Sequence, residues 1–244
     1  TSAWPYTRTF LSEPLSAVAL LATAWGLAQY HRHRVRTPAA AHEARVARRW
    51  LWMAALVAGL AVHVHVLNVL AIPCFVGYAV LPLVHEPGAW SRERTAWIVA
   101  IALGCIGPVL LGVTQALRFG SPWETGRYDH YGSFVDPLPG LVGQLVGPGR
   151  SLLLYSPALL VALLGWRRAL DRRRAAALMV LAVFVTRWAF VSARSDWWGG
   201  WGIGPRYLLP VVPLLLLPLA ELLEDLRHAS RGRRVAVGAA LLAC

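Results

Sequence analysis

Apolar residues run along this chain in long blocks, separated by short stretches in which arginine, histidine, proline and glycine gather. Neither the two-residue alternation of a half-buried strand nor the narrow stripe of a soluble helix dominates, so the pattern suits lipid better than water. Crossing a hydrocarbon core takes about 20 helical residues. The blocks predict spans near 10–30, 97–117, 151–166, 175–193 and 207–223, with an incomplete one beginning near Val235. Residues 50–84 form a single block, yet one helix of that length would be about 50 Å long at 1.5 Å per residue, far more than a bilayer needs. A split near His65–Asn68 gives two short spans, with Pro73 early in the second. The expectation is an all-α integral membrane protein. It is a polytopic helix bundle of about seven complete transmembrane spans, one transmembrane domain over residues 1–244, cut at both ends.

The basic residues orient these spans. All 24 are arginine. With the split, Arg32, Arg34, Arg36, Arg45, Arg48 and Arg49 fall on one side, followed there by Arg92 and Arg94. Arg167, Arg168, Arg172, Arg173 and Arg174 join them, and then Arg227, Arg231, Arg233 and Arg234. Without the split the last two groups would cross over, against the preference of arginine for the cytoplasmic face. Residues 1–9, 118–150 and 194–206 are therefore expected outside the cytoplasm, in a multi-pass protein of the inner, or cell, membrane. The first long outer segment is rich in glycine, proline and aromatics, and 138–146 within it reads as a short helix on the membrane surface.

Composition sharpens the class. Hydrophobic residues make up 57% of the chain and charged ones 15%, against roughly a quarter charged in a soluble domain. The formal charge of +12 lies in short clusters between apolar blocks, which is topology rather than a nucleic-acid footprint. Cys74, Cys105 and Cys244 all lie in apolar surroundings without paired spacing, which disfavours both disulfides and zinc.

The stretches "AWPYTRTFLSEPLSAVALL", "FGSPWETG" with "GPGRSLLLYSPALL", and "WWGGWGIGPRYLLPVVPLLLLPLA" resemble bacterial membrane glycosyltransferases of the C-type superfamily. These are relatives of protein O-mannosyltransferases and lipid A aminoarabinose transferases. "SEPL" and "GPRYLLP" are the more specific matches. The resemblance implies a helix bundle with an extracytoplasmic active site, a polyprenyl-phosphate-linked sugar as donor, and membrane lipids as surroundings. It also implies an Asp or Asp-Glu base in the first outer loop, which would precede Thr1. One departure stands out: the family often has Arg-Pro where this chain has His65-Val66.

Glu13, at the outer edge of the first span, is the candidate catalytic carboxylate, since a charge there is costly to bury. The plainer reading is an ion pair with Arg8. Arg206 and Arg150 precede the spans at Tyr207 and Ser151, at the depth of a lipid phosphate. A guanidinium fork suits phosphate, and the helix starts at Ser151 and Tyr207 would add backbone donors. Asp196 with Trp197, Trp198 and Trp201 offers a sugar-binding edge, although tryptophan also favours membrane interfaces by itself. Arg187 is expected to snorkel outward. His63 and His65, two apart, diverge on a helix and form no metal pair alone; they are expected at a polar turn with Asn68. Glu124, Asp129, His130 and Asp136 are metal-capable, so a divalent metal ion is the one cofactor these groups would admit, but no spacing commits them to it. The reading is a membrane glycosyltransferase; its rivals are a transporter or flippase of lipid-linked sugars and a non-catalytic scaffold. No nucleic acid and no protein partner is expected.

Overall fold

A backbone in lipid has no water to satisfy its N–H and C=O groups and pairs them along its own length. The computed structural model accordingly builds helices throughout. It describes residues 12–36, 41–84, 86, 88–124, 133–200, 204–227, 237 and 239. The helices are α1 (Glu13–Arg36), α2 (Ala41–Val64), α3 (Ile72–Val84), α4 (Ala89–Phe119), α5 (Leu138–Val146), α6 (Leu152–Tyr155), α7 (Ala158–Arg172), α8 (Arg174–Ser192), α9 (Val212–Leu215) and α10 (Pro218–Arg227). Two 3-10 turns, Val66–Ala71 and Arg206–Val211, precede α3 and α9. Among the described residues the only β pairing named is an isolated bridge between Phe134 and Arg194. Arg8, Asp129, His130, Trp201, Arg231, Arg233, Arg234 and the span expected near Val235 lie outside the described residues.

Among the described residues four segments are long and apolar enough to cross a membrane: Val66–Val84, Ala89–Phe119, Arg174–Ser192 and Arg206–Asp225. The chain divides into two compact units, Val18–Asp129 in one, Thr1–Ala17 with His130–Cys244 in the other.

In the Val18–Asp129 unit the apolar block 50–84 breaks where the sequence predicts. His65 leaves the helix with φ −156° and ψ 121°, and its Nδ1 accepts from the Leu67 N–H at 3.2 Å. Buried Asn68 then donates from Nδ2 to the Ala61 carbonyl at 2.8 Å, which also accepts from the His65 N–H at 3.0 Å. α2 and α4 touch backbone to backbone: a Cβ on Gly107 would stand 1.7 Å from the Gly59 carbonyl oxygen, and one on Gly59 2.2 Å from that of Gly104. Such small-residue seams are how helices approach in lipid. Ile98, Ile101, Val109, Val113 and Leu117 of α4 are exposed, a run of apolar surface that lipid tails would cover. At one end of the unit, buried Glu93 accepts from Arg48 at 2.9 and 3.2 Å and lies 3.9 Å from Arg34. Arg34 also donates to Glu86 at 2.9 Å, and Glu86 pairs with Arg92 as well. Members of two arginine groups assigned to one face thus converge on two carboxylates. The Glu93 carboxylate holds the Arg48 guanidinium above its ordinary range.

In the other unit, α5 has the bounds expected from sequence. It packs through Gly140, whose Cβ would meet the Ser192 carbonyl oxygen at 2.4 Å, and Gly143, whose Cβ would meet the Trp197 indole at 2.5 Å. Its Leu138, Val142 and Val146 are exposed. The arginines expected in a loop at 167–174 instead mostly ride on helix, because α7 continues to Arg172. There Glu221 accepts from Arg172 at 3.3 Å and Arg173 at 2.8 Å, and Asp225 accepts from Arg172 at 3.1 Å and pairs with Arg168.

Candidate functional site

The opposite end of α8 carries the buried polar cluster. α8 has 19 residues, so about 28 Å separates its ends, close to the thickness of a hydrocarbon core. Near its last turns sits Arg187, which is 2% exposed and donates from Nε to the Tyr207 carbonyl at 2.6 Å. The guanidinium does not snorkel outward; it turns inward, close enough to Glu13 for the two charges to attract. Glu13, 1% exposed at the first turn of α1, accepts on Oε1 from the Arg206 Nε. Its second oxygen, Oε2, is buried and accepts no hydrogen bond among the described residues. Two guanidinium groups and one carboxylate leave the cluster with one excess positive charge.

The chain reaches this arrangement through a glycine-built turn. Gly199, Gly200 and Gly204 all have positive φ, near 74°, 67° and 74°, backbone that side chains other than glycine rarely adopt. A Cβ on Gly199 would meet the Arg206 Cβ at 3.2 Å, so the close approach sets where the Arg206 side chain can lie. Arg206 then opens a 3-10 turn with its side chain 27% exposed.

Other expected site residues are found here in different roles. Asp196 is buried and its carboxylate is committed. Arg194 donates Nε to Oδ1 at 2.8 Å and Nη2 to Oδ2 at 3.2 Å, while the Tyr207 hydroxyl reaches Oδ2 at 3.3 Å. Asp196 therefore pins the loop and Tyr207, rather than offering a vacant edge to a sugar. Arg150 donates to the Gly200 carbonyl at 2.5 Å and ties the loop to the start of α6. Trp198, 43% exposed, meets Trp197 edge-to-face at 6.1 Å.

At the two helix starts part of the backbone donor set is already used. Ser151 caps only the four-residue α6, its own Oγ taking the Leu154 N–H at 3.0 Å. Tyr207 lies in the 3-10 turn, where the Leu208 and Leu209 amides both go to Pro205 O, at 2.8 and 3.1 Å. Those donors are spent locally. Glu124 and Asp136 join no group of three or more metal-capable side chains among the described residues.

Arg187 and Arg194 carry more of this site than the sequence indicated. An arginine deep in an apolar span is itself a signal, because it persists only with a partner. For Arg194 the Arg-x-Asp spacing was available and went unused.

No protein-family model matches this chain, and no curated protein or solved structure does so.

Proposed function

We propose that the protein is a membrane glycosyltransferase that moves a sugar from a polyprenyl-phosphate carrier to an acceptor on the extracytoplasmic face. The observation that carries this reading is the buried Glu13–Arg206 pair with Arg187 beside it. A net positive cluster at the end of an apolar span is where a lipid phosphate comes to rest, and guanidinium groups bind phosphate oxygens as forks.

In the reaction the acceptor hydroxyl attacks the anomeric carbon and the bond to the phosphate oxygen breaks. Polyprenyl phosphate leaves with the electron pair, and the acceptor proton passes to a general base. Arg206 neutralises the departing phosphate, and Glu13 holds Arg206 while presenting Oε2 to a donor hydroxyl of the incoming substrate. Arg187 adds a second positive charge beside Glu13, and Asp196 positions Tyr207 at the edge of the site. The base is a carboxylate of the kind the family resemblance implies.

Seven spans complete the scheme. The four apolar segments are joined by α1 and α2, each of 24 residues and about 36 Å long, and by α7, which is shorter and extended by α6. The end carrying Glu13 faces outward and the Arg172–Glu221 end faces the cytoplasm, by the arginine distribution.

One observation favours a second reading, a flippase or transporter for the same lipid. Two apolar segments are discontinuous, opening with 3-10 turns at Val66–Ala71 and Arg206–Val211, and broken helices mark transporters. Proteoliposomes containing the protein and a polyprenyl-phosphate hexose radiolabelled in the sugar separate the two. The transferase releases polyprenyl phosphate and labels an acceptor. Translocation of intact donor without that release would overturn the transferase and leave the flippase.

A further inference from the structure

The break at His65 does more than divide an apolar block. On a continuous helix His63 and His65 would point apart. Because His65 is extended, both side chains line one cavity of about 410 Å3, together with Val64 and Val66. The facing wall is Leu111, Thr114, Gln115 and Arg118, the i, i+3, i+4 and i+7 positions of one side of α4. All of these residues belong to the Val18–Asp129 unit, and none belongs to the Glu13–Arg206 cluster.

The chemistry of the lining is specific. Among the described residues His63 Nδ1 and Gln115 Oε1 are buried without a hydrogen-bond partner, and buried polar atoms normally have one. His65 Nδ1 accepts from the Leu67 N–H, and the His63 imidazole and the Arg118 guanidinium bring the N–H donors to the lining. Thr114 spends its hydroxyl proton on the Leu110 and Leu111 carbonyls at 3.0 and 2.8 Å, leaving its oxygen lone pairs as acceptors. Arg118 supplies the formal charge, and among the described residues no acidic side chain lines the space. A water takes about 30 Å3 in the liquid, so the cavity is far larger than one bridging water needs. Donors and a positive charge call for an anion; the Gln115 and Thr114 acceptors call for a hydroxyl beside it.

We infer that this cavity binds a phosphate ester carrying a neighbouring hydroxyl. Glycerol phosphate has that chemistry, whether free in solution or as the headgroup of a phosphatidylglycerol. The proposal does not depend on the transferase reading, since the two sites share no residue.

The test uses the purified full-length protein. Calorimetric titration with sn-glycerol 3-phosphate, with glycerol as the uncharged control, reads the soluble ester. Phosphatidylcholine nanodiscs with and without phosphatidylglycerol, followed by native mass spectrometry of retained lipid, read the headgroup. Binding of glycerol 3-phosphate but not glycerol supports a free ester, whereas retention of phosphatidylglycerol alone supports the lipid. In either case Arg118→Gln should weaken binding about tenfold or more, the size of a lost hydrogen bond to a charged group, and Gln115→Met about two- to tenfold, the size of a neutral one. Their melting temperatures should stay at the wild-type value; where one variant misfolds, the other decides. Binding of neither probe, equal binding of glycerol, or wild-type affinity in the well-folded variants would overturn the proposal.

Discussion

Two arginine–carboxylate clusters flank α8 and use the same side chains to different effect. Beside its start, Glu221 and Asp225 face Arg168, Arg172 and Arg173, and the arginines are between 31% and 71% exposed. Water reaches the arginines, Glu221 itself is buried, and each carboxylate has more than one arginine partner. Beside its end, Glu13 and Arg187 are almost fully buried, Arg206 is only partly exposed, and one carboxylate oxygen stays unmatched among the described residues. The first arrangement is a clasp, worth little per pair because solvent competes. The second holds charges where they are expensive, which a protein retains when the charge has a task. Identity of residues does not separate the two; burial and an unsatisfied atom do.

The contrast breaks most completely if the two clusters share a face of the membrane. Ser133→Cys and Asp171→Cys are both exposed positions. In a background lacking the native cysteines, an impermeant thiol reagent added outside should label Ser133→Cys and leave Asp171→Cys unlabelled. The reverse pattern, or labelling of both, removes the topology on which the outer site rests.

Next in size is Glu13→Gln. The amide keeps the volume but leaves Arg206 and Arg187 without their carboxylate. Release of polyprenyl phosphate should fall by about a hundredfold or more, as expected for a charged contact used in the reaction, at unchanged membrane levels. Wild-type turnover would reduce Glu13 to an anchor.

Arg206 then separates charge from geometry. Arg206→Ala should cost roughly ten- to a hundredfold in donor binding and turnover. Arg206→Lys should recover only part of this, since an ammonium cannot hold Glu13 and a phosphate through one planar fork. Full recovery by lysine would show that charge alone suffices.

The smallest effect is expected at the clasp. Asp225→Asn should lower stability by about 0.2–1 kcal/mol, mainly through the Arg168 pair, and leave turnover unchanged. A loss of activity as large as that of Glu13→Gln, at equal melting temperature, would erase the distinction between the clusters.

Several features were legible because they depend on local pattern. Alternation of apolar blocks with arginine groups marked the helices. The excess length of 50–84 required a break, and a polar His-x-His-x-x-Asn turn marked its place. Residues 138–146 declared themselves by their flanking prolines and glycines, and fold to α5 with those bounds. Glu13 and Arg206 were each picked out singly, as charges at the edges of apolar runs.

What sequence could not supply was pairing over distance. Glu13 and Arg206 are 193 residues apart, and the Arg8 partner suggested by proximity along the chain was the natural alternative. Arg187 looked free to snorkel because a span shows how deep a residue lies, but not which neighbour waits beside it. Asp196 read as open to sugar until the Arg194 fork and the Tyr207 hydroxyl were seen to occupy it. Hydropathy and period alone mark the apolar blocks, the helical class, the break at His65 and the places where charge is costly, but not the arginine-bearing helix ends, where α1, α2, α4 and α7 run about six to nine residues past the apolar blocks. Only the tertiary structure decided which charges compensate one another and which atoms stay unmatched, because those depend on distances set by packing between segments remote in the chain.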